Sequence, residues 1–414
     1  MKIIGSVESR TMTSPGRSPN RDTISNLSEF LPEILVSIAK LCTSIHDYIS
    51  FRGVCRSFRS AATLENFDRE WTGRLPWLML VSRGRIKEEE SKEILDRNYT
   101  RVADLVDLFE KKTYKIANFP PLDRSMYPSS KGWILCFSSA DIYLTHPVWR
   151  IRIYLPGLET FPPETDESPI SISKIVLSDS PAVKTDLLVM VIWGEKNQLG
   201  FCRPGDDSWT VMDSSEVPFC DIIYHKRKLY AVDSESRVVE CDVHGKNPVQ
   251  LRQVFSMPPA RDDVDPSPPH GTYYLVESLG EILIVDRQTY SVETVLFKVY
   301  GFDLMDGCTD RRKEIRDLGN RALFVGSNSS FSVDLSKRDG VKRSNGVKRS
   351  HSSLPVAFSS QLDDVKPNCI YFTDHSVRTN GLDNGVFCLS DMKTERYIVR
   401  CDICAFPTWV LPSF

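Results

Sequence analysis

The chain has 414 residues, of which 41% are hydrophobic and 26% charged, and its formal net charge is −3. Length allows two or three domains, and the near-neutral charge argues against a general nucleic-acid binder, which carries a basic domain or stripe. No apolar run approaches the roughly 18 residues of a membrane-spanning helix, so no membrane span is expected.

The N-terminus lacks the apolar core of a signal peptide. Eleven cysteines, an odd and scattered number, therefore read as reduced thiols of the cytosol or nucleus. Residues 1–26 are polar and rich in Ser, Pro and Arg, which predicts a disordered tail.

From Leu27 to Asn66 the texture is helical. Leu31, Ile34, Leu35, Ile38 and Leu41 follow the i, i+3, i+4, i+7 stripe of an amphipathic helix. Pro32 stands where a first helical residue belongs, because its fixed φ suits that position and its missing N–H costs nothing there. Ser44 with Asp47 three residues on reads as a variant capping box opening a second helix. That helix carries Ile45, Tyr48, Ile49 and Phe51, followed after Gly53 by Val54, Cys55 and Phe58. About 40 residues bury too little surface to be robust alone. The surplus of apolar residues thus implies that some meet a partner. The alternative, a longer helical domain, finds no comparable periodicity after about residue 70.

Leu31-Pro32, Ile34-Leu35 and the run Phe51-Arg-Gly-Val-Cys-Arg-Ser-Phe58-Arg resemble an F-box over residues 27–70. The resemblance implies docking on a Skp-type adaptor and through it on a cullin–RING ubiquitin ligase. Its docking residues would be Leu31, Pro32, Ile34, Leu35, Ile38, Phe51, Val54, Cys55 and Phe58, some of which must instead hold the small module together. Phe58 stands where the family carries tryptophan. Phe keeps most of the apolar area and loses the indole donor, so docking is expected to be weakened and not abolished.

From residue 75 onward the sequence turns to short runs rich in Val, Ile, Tyr, Phe and Thr, separated by turn residues. Examples are 132–137, 141–146, 150–156, 186–194, 228–233, 237–243, 293–300, 322–326, 330–335, 368–374, 385–389 and 396–403. A hairpin is predicted to join 272–278 to 281–286 across Leu279-Gly280. Residues 86–112 read either as helix or as strands. The favoured reading is a partly helical insertion over 87–98 followed by strands. So many short strands point to radial repetition, an all-β propeller of about six or seven blades.

LPWLML (75–80), LGFCRPGDDSWTVM (199–212), YLVESLGEILIVDR (274–287), LGNRALFVGSNSSFSVD (318–334), KPNCIYFTD (366–374) and PTWVLPSF (407–414) carry a second resemblance. They are similar, in this order, to the plant F-box proteins with a KIB-type β-propeller. That resemblance implies a propeller over 75–414 which selects a protein target while the F-box recruits the ligase. The chain departs from the family pattern near 86–100 and 336–353, where insertions are expected.

Sites of chemistry are sparse. Cys401-Asp-Ile-Cys404 lacks the second ligand pair of a zinc site and reads as strand packing. No phosphate-binding loop, H-E-x-x-H or G-x-S-x-G occurs. Asp262, Asp263 and Asp265 suit a solvated loop. The near-duplicated GVKRSN and GVKRSH at 340–351 read as a mobile insertion, with an import signal or acidic-partner patch as the functional alternative. Trp133, Trp193 and Trp209 are expected between blades; Trp149 and Tyr127 are the loop aromatics offered as contact residues. No catalytic residue, metal or cofactor is expected.

The sequence therefore reads as the non-catalytic substrate receptor of an E3 ubiquitin ligase, acting in nucleus or cytoplasm by positioning a protein target. The alternatives are a protein whose decayed F-box leaves it to sequester partners, and a propeller enzyme.

Overall fold

The computed structural model describes residues 32–42, 45–63, 76–83, 101–107, 112–119, 127–137, 141–147, 151–162, 170–181, 187–212, 217–243, 251–256, 270–291, 293–301, 313–336, 356–358, 365–373, 383–399 and 405–411. Internal contacts divide the chain into two units, residues 1–70 and 71–414. The proposed tail, Leu31, Ser44, Trp149, the Asp262–Asp265 loop, the basic repeat and the Cys401/Cys404 pair lie outside the described residues.

In the first unit, α1 (Pro32–Lys40), α2 (Ile45–Gly53) and α3 (Arg56–Ala61) are short helices, with α3 packed on both of the others. Proline opens α1, as its fixed φ predicts. The core is small: Leu35, Ala39, Tyr48, Phe51, Phe58 and Ala61 are buried, and the Phe51 and Phe58 rings lie 4.6 Å apart. Cys55 takes the N-cap position of α3 in extended backbone, and its carbonyl accepts the Arg59 N–H at 3.0 Å. Tyr48 and Arg52 donate side-chain hydrogen bonds to the carbonyls of Thr63 and Ala62, fixing the C-terminal end of α3.

The second unit holds six sheets among the described residues, in chain order. The first contains β1 (Trp77–Arg83), β2 (Arg101–Asp107) and β3 (Lys112–Phe119), together with the last strand of the chain, β26 (Thr408–Val410). The second is β4 (Ser129–Ser130), β5 (Trp133–Phe137), β6 (Ile142–Thr145) and β7 (Arg152–Leu155). The third is β8 (Ile172–Leu177), β9 (Val189–Trp193), β10 (Gln198–Cys202) and β11 (Thr210–Val211). The fourth is β12 (Phe219–His225), β13 (Lys228–Asp233), β14 (Arg237–Cys241) and β15 (Leu251–Ser256). The fifth is β16 (His270–Ser278), β17 (Glu281–Tyr290), β18 (Glu293–Gly301) and β19 (Lys313–Glu314).

The sixth sheet departs from this pattern. It is built from β20 (Arg321–Val325), β21 (Phe331–Asp334), β22 (Val356–Phe358), β23 (Cys369–Phe372), β24 (Gly385–Cys388) and β25 (Lys393–Val399). Their order is β21-β20-β23-β24-β25-β22, and β20 and β23 run parallel.

Strand burial explains the sequence texture. Side chains alternate between the two faces of a strand. In β9, Val189, Val191 and Trp193 join a cluster with Trp133 and Leu135 of the second blade, while Met190 and Ile192 pack with Ile222 and Leu229 of the fourth. In β17, Leu283 and Val285 pack toward the sixth blade, and Ile282 and Ile284 toward the fourth. Both faces of such a strand are covered, so it reads as a continuous apolar run and not as an alternating one. In the outermost strand β7, Arg152 and Tyr154 are exposed and Leu155 is buried.

The Leu279-Gly280 turn is as predicted: both residues have positive φ, +54° and +79°, and Ser278 pairs with Glu281. The β2–β3 hairpin confirms strands after residue 100, whereas the 87–98 insertion lies outside the described residues. Trp133, Trp193 and Trp209 are buried between blades as expected. Tyr127 corrects the loop-aromatic reading. It is fully buried, with its ring edge-on to Phe119 at 5.0 Å, because a phenol this large is worth more inside a blade junction than in solvent.

Candidate functional site

Two regions answer the functional expectations, one in each unit. In the helical unit, α1 sends Leu35 and Ala39 inward, whereas Ile34, Ile38 and Leu41 stand 43%, 40% and 77% exposed. Positions i, i+4 and i+7 share one face of a helix, so these three form a stripe. Val54, between α2 and α3, is likewise half exposed.

The expected docking residues thus fall into two groups. Pro32, Ile34, Ile38 and Val54 are exposed and Cys55 is half-buried, while Leu35, Phe51 and Phe58 are interior. The residue in place of the family's tryptophan therefore belongs to the packing of the unit against Phe51.

In the propeller the informative region is the axis. The edge strands β26, β4, β8, β12, β16 and β21 touch in succession, which makes them the inner strands of the six blades. The segment Gly326-Ser-Asn-Ser-Ser330 joins β20 to β21, and the sequence reads it as an ordinary hairpin spacer. The hairpin forms, β20 pairing antiparallel with β21, and its loop also bonds other blades. Asn328 Nδ2 donates to Thr408 Oγ1 at 2.8 Å, and the Asn328 carbonyl accepts the Ser129 N–H at 3.3 Å. Ser329 Oγ and Ser129 Oγ both donate to the Trp409 carbonyl, at 2.6 and 2.8 Å. Ser330 Oγ donates to Asp221 Oδ2 at 3.0 Å. One five-residue loop of the sixth blade therefore bonds the inner strands of the first, second, third and fourth blades.

A buried ion pair lies against this loop. Lys174 Nζ of β8 meets Asp221 Oδ1 of β12 at 2.7 Å, with both side chains almost wholly buried. Lys174 also donates to Ser330 Oγ at 3.1 Å and to the Gly326 carbonyl at 3.5 Å, and Asp221 accepts the Leu275 N–H at 3.0 Å. Burial pushes Lys174 down and Asp221 up from their ordinary pKa values, and each charge offsets part of the other's desolvation. These polar groups supply each other's partners, so the pair is a structural knot.

A second knot joins the fifth and sixth blades. Arg287 Nη2 meets Asp383 Oδ2 at 2.9 Å, and the same oxygen accepts the N–H and hydroxyl of Thr294 at 2.8 and 2.6 Å. Arg287 also donates to Tyr274 Oη at 3.1 Å and to the Thr373 carbonyl at 3.2 Å, with its guanidinium 5.0 Å over the Phe372 ring. Burial would raise the Asp383 carboxyl; the Thr294 hydrogen bonds with the Arg287 and Arg396 charges outweigh it and hold the group below its ordinary value.

The Lys174, Asp221, Arg287 and Asp383 side chains of these knots are all buried. A shallow depression of about 460 Å³, lined by Leu279, Asp317, Gly319, Arg321, Asp334 and Ser336, is wide open to solvent. Among the described residues no group of three or more His, Cys, Asp or Glu is placed to hold a metal ion. No described helix is long and apolar enough to cross a membrane.

The ring of six blades, closed by a sheet that takes strands from both ends of the second unit, defines a six-bladed β-propeller. Residues 105–346, more than half of the chain, match the KIB1-4 beta-propeller family. The chain belongs to that family, as its strand motifs predict. The F-box/kelch-repeat protein KIB1 of Arabidopsis thaliana is 24% identical over 342 residues, covering 81% of this chain and 80% of that protein. The F-box protein SKIP23 of the same plant is 24% identical over 361 residues, covering 73% of this chain and 79% of that protein. A chain of the nidogen/laminin complex aligns over 82% of this chain and 100% of its own length, with 11% identity and a TM-score of 0.38, a likeness that carries no argument.

Proposed function

We propose that this chain is the substrate-recognition subunit of a Skp–cullin–F-box ubiquitin ligase. In this reading the F-box spans residues 27–70 and docks a Skp-type adaptor, while the propeller, over 75–414, holds a protein target. The observation that carries it is the exposed apolar stripe Ile34, Ile38 and Leu41, together with the exposed Val54, on a helical unit too small to waste such residues. The F-box names of relatives that cover most of this chain support it.

Docking falls to Pro32, Ile34, Ile38, Val54 and the half-buried Cys55, and unit stability to Leu35, Phe51 and Phe58. Contact residues on the adaptor side need only lose solvent. Each aliphatic side chain fully covered contributes roughly 1.5–3 kcal/mol. The chain itself performs no bond chemistry. It raises the effective concentration of target lysines near the charged ubiquitin carrier, in nucleus or cytoplasm. Residues 326–330 bond the inner strands of several blades, so in this reading the target is held on a rim or face of the propeller.

The test is a pulldown of the full chain with a Skp-type adaptor, beside the Ile34→Asp/Ile38→Asp variant and a form lacking residues 27–66. Binding by the intact chain, lost in both altered forms, is the expected result. Unchanged affinity in the double variant would remove the docking assignment. No binding by the intact chain would favour the reading in which the propeller sequesters partners without a ligase.

A further inference from the structure

Three of the described cysteines are inert by placement. Cys136, Cys202 and Cys241 are buried, and burial pushes their thiols up, Cys136 and Cys241 to about 12. Such thiols hold little thiolate near neutral pH and meet no oxidant.

Cys369 and Cys388 differ from these three. They are 19 residues apart in sequence but directly opposite one another on the antiparallel strands β23 and β24. Their Sγ atoms lie 2.6 Å apart.

The ladder shows which kind of pair they form. The Leu389 N–H bonds the Asn368 carbonyl at 3.1 Å, so the flanking pair carries the inter-strand hydrogen bond. Thr373, in phase with Cys369, turns its N–H the other way, to the Val325 carbonyl at 3.1 Å. Cys369 and Cys388 therefore occupy a non-hydrogen-bonded position, where Cα atoms approach to about 4.5 Å and side chains sit closest. That separation falls within the roughly 4.4–6.8 Å span a disulfide requires. Cys369 belongs to the cluster between the sixth and first blades, and Cys388 packs on that cluster from half-buried positions, so both thiols use one face of the sheet.

We propose that Cys369 and Cys388 are a redox-active thiol pair, which hydrogen peroxide converts to a cross-strand disulfide within the sixth blade. Cys388, the more exposed of the two, is the attacking thiol. The hydrogen bond from Cys369 holds its pKa below the ordinary value, aided by the Lys366 cation against burial and the Asp391 and Glu395 charges. Its sulfur attacks one peroxide oxygen, the O–O bond breaks, and water leaves with the thiol proton, giving a sulfenic acid. The Cys369 sulfur then displaces the sulfenic oxygen, which leaves with the Cys369 proton as a second water. Two thiols are oxidised to one disulfide, and one peroxide is reduced to two waters. The bond fixes β23 to β24 in the blade that also supplies the 326–330 loop.

The test uses the full chain, treated with hydrogen peroxide under native conditions, then alkylated, denatured, alkylated with a second reagent and digested. The expected result is a peptide linking Cys369 to Cys388, lighter by two hydrogens and abolished by reductant, with Cys136, Cys202 and Cys241 labelled only after denaturation. The oxidised protein should melt about 5 °C higher than the reduced one, since the link removes chain entropy from the unfolded state. In Cys369→Ala the Cys388 sulfenic acid should persist and take up dimedone. Recovery of both cysteines as free thiols after peroxide would overturn the proposal, as would oxidation of Cys388 to sulfinic acid without the linked peptide. Because the linked peptide is read in the unaltered chain, failure of a variant to fold leaves the decision intact.

Discussion

The helical unit and the propeller treat their side chains in opposite ways. The helices keep Leu35, Phe51 and Phe58 inside and leave Ile34, Ile38 and Leu41 outside. The propeller takes even charged groups inside, Lys174 with Asp221 and Arg287 with Asp383. A surface meant for another chain tolerates exposed apolar groups, because a partner removes them from water. A ring that must close on itself instead ties its blades together with whatever inward-facing positions it has. On the proposed reading, mutations in the buried knots of the propeller should act on stability, and mutations on the helical stripe on adaptor binding.

The largest effect should come from breaking the ring's closure. Thr408, Trp409 and Val410 pair with Met79, Leu78 and Trp77, and Trp409 and Thr408 also accept the hydrogen bonds of Ser329 and Asn328. Removing residues 405–414 should abolish cooperative unfolding of the propeller, seen as loss of the calorimetric transition. A sharp transition at the original temperature would contradict the closure.

Next is Lys174→Met, which leaves Asp221 buried without its cation. It should cost about 3–5 kcal/mol in denaturant unfolding, with much of the loss recovered in Lys174→Met/Asp221→Leu. If the double variant were no better than the single one, the two side chains would not be acting as a pair.

Asp383→Asn is expected to cost about 2 kcal/mol near neutral pH, the scale of hydrogen bonds to a charged acceptor. The folded pKa of Asp383 lies below its unfolded value of about 3.9. Its contribution is therefore complete above about pH 4 and is lost as pH falls through the folded value. The variant should accordingly show a shallower fall in stability on acidification, measured by melting temperature against pH.

The smallest stability effect belongs to Ile34→Asp/Ile38→Asp. Exposed substitutions of this kind should leave the melting transition within roughly 0.5 kcal/mol of the parent. A large loss of stability with adaptor binding intact would place these side chains in the unit's core and erase the contrast between the two regions.

Much of the fold was written in local pattern. The α1 stripe, the proline at its start, the Leu279-Gly280 hairpin and the two-sided apolar strands all follow from periods of 3.6 and 2 and from which residues accept positive φ. The strand rhythm pointed to a propeller but left six or seven blades open, because the repeats carry no sharp signature. The sixth blade explains part of that difficulty: its parallel β20–β23 pair breaks the hairpin rhythm by which blades are counted.

What local pattern could not reach depends on residues far apart in the chain. Nothing around Gly326-Ser-Asn-Ser-Ser330 distinguishes a plain turn from one that bonds other blades; Thr408, Ser129 and Asp221 do, and they arrive only when the ring closes. Nor does sequence separate Leu35 from Ile34, neighbours on one amphipathic stripe, until the folded unit buries one and not the other. Cys369 and Cys388 meet only through strand register, which no short-range spacing such as that of Cys401-x-x-Cys404 encodes. Sequence alone determined the helical start, the β-propeller class and the apolar surplus of the helical unit, since these rest on composition and short-range periodicity. Tertiary structure alone decided blade number, ring closure, the inter-blade bonds of the 326–330 loop and the thiol pair, since each is a contact between segments whose separation local propensity does not encode.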